Sequence, residues 1–113
     1  MYNIAFIQMN ADAILKNDYV SRYQAAGEQR FYHNLLSYAV NKLIKIKDEE
    51  FLGISPELEF LEHSESFLFL YRRESDPVYL ELSRVFRRAA NKIYRMMLKK
   101  GMTQRNSKFL NVV

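Results

Sequence analysis

The side chains with the most chemical potential stand toward the C-terminal end: Arg84, Arg87, Arg88, Asn91, Lys92, Arg95, Lys99 and Lys100. Spacings of three and four residues return a cation to one side of a helix about once per turn. Such an array can follow a phosphate backbone or lie in a major groove, and Asn91 within it is able to read adenine. Four to six phosphate contacts would give a logarithmic salt slope of about −4 to −5 on B-DNA. A surface helix must carry charge somewhere, so cations alone decide little. The context is more telling, because residues 82–113 hold nine basic side chains and no Asp or Glu, a sum of +9. Residues 1–81 hold all 13 acids against eight basic residues and sum to −5. Ten of those acids, Glu57, Glu59 and Glu62 among them, crowd into 48–81 against only Arg72 and Arg73. The asymmetry therefore admits two readings: a face for a polyanion, or acidic and basic segments that neutralise each other, for example with the acidic segment of one subunit of a dimer on the basic helix of the other.

Other chemistry has little to work with. The chain has no cysteine, two histidines and three glycines, so thiolate zinc sites, cysteine nucleophiles and phosphate-cradling glycine loops are excluded. A carboxylate-bridged di-iron bundle requires Glu-x-x-His, yet Phe60 and Arg30 stand three residues before His63 and His33. Glu59 and His63 are spaced to share a metal with His33, but exposed polar residues on a solvated face explain them more simply. No Arg lies four to six residues before either histidine, the spacing that places a cation beside a general base in some helical ribonucleases. Paired carboxylates such as Glu59 and Glu62 are cheap in so acidic a segment. No enzyme activity, metal or cofactor is expected.

The cations need a helix, and 77–100 has every signal for one. Asp76 can accept from first-turn N–H groups, Pro77 suits the first helical position, Lys99 and Lys100 sit at the negative dipole end, and Gly101 can terminate it. Val78, Leu82, Val85, Phe86, Ala89, Ile93, Met96 and Met97 fall within an arc of about 120°. Leu82, Val85, Ala89 and Ile93 should form the buried spine, with Arg84, Arg88 and Arg95 on the opposite, exposed side. Two earlier helices are expected. One opens at Asn10 or Asp12 and runs to about Ala26, with Ala13, Leu15, Tyr19, Val20 and Tyr23 as its apolar positions. The other runs from about Glu28 to Glu50, with Phe31, Leu35, Leu36, Ala39, Leu43 and Ile46 at helical spacing. Gly27 either separates the two or is tolerated inside one long helix, at about 1 kcal/mol relative to alanine.

Segment 54–74 is ambiguous. Ser55-Pro56-Glu57 is a helix start, yet 66–71 is rich in aromatics and Leu58-Glu59-Phe60 alternates like a strand. Helix is preferred. The competing structure is a hairpin near 58–71 that turns at 63–66, paired with a strand at 2–9.

The expected architecture is all-α: an antiparallel three- or four-helix bundle with a long C-terminal amphipathic helix. A chain of 113 residues is one domain, 1–113, with 101–113 as a mobile or lightly docked tail. No apolar run approaches the roughly 18 residues of a membrane span, and the start of the chain lacks a basic n-region, so a cytoplasmic protein is expected. Sixteen Phe and Tyr exceed what one small core readily buries, and Met96-Met97-Leu98 is an adaptable surface, so a homodimer is expected. The leading function is a small non-enzymatic regulatory protein that binds nucleic acid through the basic C-terminal helix. The alternative is a protein–protein adaptor or inhibitor with polarised acidic and basic faces.

Overall fold

The computed structural model describes residues 4–48 and 55–99, without the side chains of 46–48. Five helices account for nearly all of them: α1 (Ile4–Lys16), α2 (Tyr19–Ala26), α3 (Glu28–Asp48), α4 (Pro56–Glu74) and α5 (Pro77–Lys99). The all-α class holds, and no strand occurs among the described residues. Residues 4–9 are helical, so the expected strand at 2–9 is absent from its described part. The expected stop at Gly101, the end of the second helix beyond Asp48 and the tail at 101–113 lie outside the described residues.

The N-terminal half departs from the expected single helix from Asn10 or Asp12 to Ala26. Helix α1 is already formed at Ile4, because Ala11 and Ile14 are buried at a spacing that extends inward-facing positions back through Ile7. Ala13 and Leu15, expected inside, are exposed on its other sides. Asn10 does not cap anything; its amide donates to Ser66 Oγ at 2.8 Å. The chain breaks at Asn17–Asp18, where Asp18 adopts φ 61°, a left-handed conformation that aspartate tolerates. Gly27 settles the next boundary. Its φ of 79° and ψ of 160° suit glycine alone, so α2 and α3 are separate, and its N–H still donates to Tyr23 O at 3.0 Å.

Helix, not hairpin, forms at 56–74. Ser55 is extended at φ −65° and ψ 151°, Pro56 occupies the first turn, and Ser55 O accepts from Leu58 and Glu59 N–H at 3.1 and 3.0 Å. Phe60, Leu61, Ser64, Phe67 and Leu70 are buried at helical spacing, which turns the aromatic run half inward and half outward. Ser75 at φ 61° ends α4 with its N–H on Tyr71 O at 2.8 Å. Asp76 Oδ1 then accepts from Val78 N–H at 3.1 Å, the expected opening of α5.

Helices α4 and α5 run antiparallel and form the centre. Small residues let them approach: Ser64 Oγ donates to Ser83 O and Ser83 Oγ donates to Ser64 O, both at 2.8 Å. Around this pair Phe86 is fully buried and meets the rings of Tyr19, Phe31, Phe60, His63 and Phe67 at 5.3–6.0 Å. Helices α2 and α3 cover α5, and α1 packs on α4. The expected spine is inside: Leu82, Val85, Ala89 and Ile93 are each at most 1% exposed.

Candidate nucleic-acid interface

With one side of α5 sealed against three helices, its other side is fixed in orientation. Arg84, Arg87, Arg88, Asn91, Lys92, Arg95 and Lys99 are all exposed; Lys100 lies outside the described residues. At 3.6 residues per turn, Arg84, Arg88, Asn91, Arg95 and Lys99 share one narrow stripe, with Arg87 and Lys92 on its two flanks. From Arg84 to Lys99 the stripe runs about 22 Å. The structure thus brings the expected side chains to one surface.

It does not leave them all free. Arg87 pairs with Glu65 of α4 at 2.5 Å, and Arg88 pairs with Glu28 of α3 at 2.5 Å while lying over the Tyr32 ring at 4.9 Å. Their side chains are about half exposed, so each pair is worth only about 0–1 kcal/mol and can be exchanged for another anion. Arg84, Lys92, Arg95 and Lys99 have no carboxylate within ion-pair distance among the described residues. Of the six cations of this group among the described residues, four therefore remain uncommitted.

The acidic segment is only partly turned outward: Glu74, Asp76 and Glu81 are exposed, whereas Glu57, Glu59 and Glu62 are not. Glu57 is fully buried, and neither of its carboxylate oxygens has a hydrogen-bond partner among the described residues. Burial raises its pKa, which the nearby Ser55 hydroxyl, its own backbone N–H and Lys42 offset only in part. Glu59 is held by Lys42 Nζ at 2.7 Å and accepts from the Tyr38 hydroxyl at 3.4 Å. Glu62 is half-buried, and burial followed by the Glu59 charge raises its pKa. Of the acids of 48–81, Glu65 pairs with the basic helix through Arg87, and Glu28, from outside that segment, pairs with Arg88.

His63, expected on a solvated face with Glu59, is packed between the rings of Tyr19 and Phe86 because it shares the inner side of α4 with Phe60 and Phe67. Burial lowers its pKa, against the opposing pull of Glu59, whose Oε1 is 3.9 Å from Nε2. His33 is exposed elsewhere, and no group of three metal-ligating side chains occurs among the described residues.

Sequence reasoning missed a cleft of about 530 Å³ between α2, α3 and α4, with Phe31, Leu35 and Phe60 at its base and Arg22, Tyr38 and Glu59 at its edge. Its lining comes from three helices, and only the residue types, an arginine among aromatics, hinted at it. No family model matches the chain, and neither a curated protein nor a solved structure does.

Proposed function

We propose that the protein is a small non-enzymatic regulatory protein of the cytoplasm that binds nucleic acid through the exposed side of α5, as a homodimer. The observation that carries this reading is the stripe of Arg84, Arg95 and Lys99, uncommitted cations on a helix whose reverse side is completely buried. A row of this kind on a packed helix loses no backbone freedom on meeting phosphates, and Asn91 lies between Arg88 and Arg95 where a base edge would come. Phosphate oxygens can also displace Glu65 and Glu28 from Arg87 and Arg88, since both pairs are exposed. Labelled duplex DNA, single-stranded DNA and RNA, titrated at low salt, test the proposal. Changing Arg84, Arg95 and Lys99 together to Gln should abolish most of the binding while circular dichroism stays unchanged. Unaltered binding by that variant would refute it.

The dimer rests on α1. Ile4, Phe6, Met9 and Leu15 are four of the seven large hydrophobic side chains exposed among the described residues. Of these, Phe6 and Met9 lie within about 60° of each other on α1, away from the buried Ala11 and Ile14, and a second copy would cover them. Light scattering of the wild type and Met9→Glu tests this, with a dimer expected for the first and a monomer for the second. The adaptor reading takes the same apolar surface for a different protein, and it gains if the wild type is monomeric and binds no nucleic acid. No described helix is long and apolar enough to cross a membrane.

A further inference from the structure

We infer that the cleft between α2, α3 and α4 is a binding site for a small aromatic carboxylate. Three observations lead there. The first is size: about 530 Å³ falls within the range of small-molecule sites. The second is the base. Phe31, Leu35 and Phe60 are each at most 9% exposed and Phe86 backs Phe31 and Phe60, so the base is held firmly and cannot collapse to fill the space. Above it the rings of Tyr19 and Tyr38 form two walls, and Tyr38 remains 47% exposed with its ring tilted against Phe60 at 6.2 Å. A flat apolar body between these rings would gain both area and ring contacts.

Charge is the third observation, and it selects the ligand's polar end. The carboxylate at the edge, Glu59, is already neutralised by Lys42 at 2.7 Å. Arg22, on the other side, lies over the Tyr19 ring at 5.6 Å and has no carboxylate within ion-pair distance among the described residues. The cleft thus presents an apolar slot with one uncompensated guanidinium, which matches a planar carboxylate bidentately. A ligand cation would meet repulsion from Arg22 and a Glu59 already taken. This site is separate from the basic stripe, because Phe86 leaves α5 on the side opposite Arg84.

The test uses the full chain with 1-naphthoate as probe and 1-naphthalenemethanol as its uncharged counterpart, followed by amide chemical shifts. Saturable shifts are expected at Ala25, Ala26 and Asn34 with Kd below about 1 mM, the weak end of specific recognition. The carboxylate should bind about tenfold or more tighter than the alcohol. Arg22→Gln should remove that preference while leaving alcohol binding unchanged, and Ala25→Leu, which narrows the slot, should weaken both probes. No saturable shift, equal affinity for the two probes, an undiminished preference in Arg22→Gln, or shifts confined to α1 would each overturn the assignment. Folding of both variants is checked by the amide spectrum, and should Ala25→Leu fail it, Arg22→Gln on the exposed edge still decides.

Discussion

Replacing Phe86 with alanine empties the point where α2, α3, α4 and α5 meet. Its ring is fully buried and touches five others, from Tyr19 and Phe31 on one side to Phe60, His63 and Phe67 on the other. Loss of a buried phenyl group costs about 3–5 kcal/mol, and the upper half of that range applies because the surrounding rings belong to several helices and cannot all move inward. Each of the four edge-to-face pairs, with Tyr19, Phe31, Phe60 and His63, adds about 0.5–1.5 kcal/mol, but pairs lost together are not additive and are largely contained in the same figure. Net stability for a chain this long is about 5–15 kcal/mol, so the variant should lose a large share of it. Phe86→Leu keeps most of the apolar volume and should cost roughly half as much. Urea unfolding followed at 222 nm measures both. A Phe86→Ala cost under about 1 kcal/mol would refute the placement of this ring at the centre.

Leu82→Ala should cost about 2–5 kcal/mol and Arg88→Ala less than about 0.5 kcal/mol, since one side chain is fully buried and the other is in an exposed pair; the same urea experiment reverses the assignment of faces if Arg88 proves costlier. Glu57 holds its proton more tightly in the fold than in the unfolded chain, so its contribution is most favourable below the ordinary value of 4.5 and is lost as pH rises through the raised folded value. Glu57→Gln should therefore be more stable than the wild type at pH 7 and lose that advantage in acid, and equal stability at both pH values would contradict its burial. His63 acts in the opposite sense: its folded pKa lies below 6.5, so stability should fall as pH drops below 6.5, with a slope that His63→Phe removes. Stability curves from pH 7.5 to 5 check this, and an unchanged slope in the variant would place the imidazole in solvent.

How much of this was legible in the sequence depended on how local the deciding forces are. The start of helix α5 and its apolar side were readable because Asp76, Pro77 and the spacing from Leu82 to Ile93 all act within one segment. Its two faces followed from the same spacing. Segment 66–71 was not decidable alone, since every position from Phe67 to Tyr71 is apolar and the run fits either period, and only the burial of Phe67 and Leu70 against α5 selects the helix. Asn10 looked like a cap because its true partner, Ser66, is 56 residues away. Distance in sequence likewise hid the pairing of Arg87 with Glu65 and of Arg88 with Glu28, which leaves four of the six described cations on α5 uncommitted. Glu57 was counted as surface charge by type, whereas its position beside buried Pro56 and Phe60 places it inside.

The salt dependence of duplex DNA binding tests the role of α5 most directly. Four uncommitted cations release about 0.9 counterion each, so the logarithmic slope should be about −4, steepening toward −5 where Arg87 and Arg88 exchange their carboxylates for phosphates. Changing Arg84, Arg95 and Lys99 to Gln should lower its magnitude by about three. Absence of binding to DNA and RNA at low salt, or a slope that the triple change leaves untouched, would show that the stripe on α5 does not meet nucleic acid.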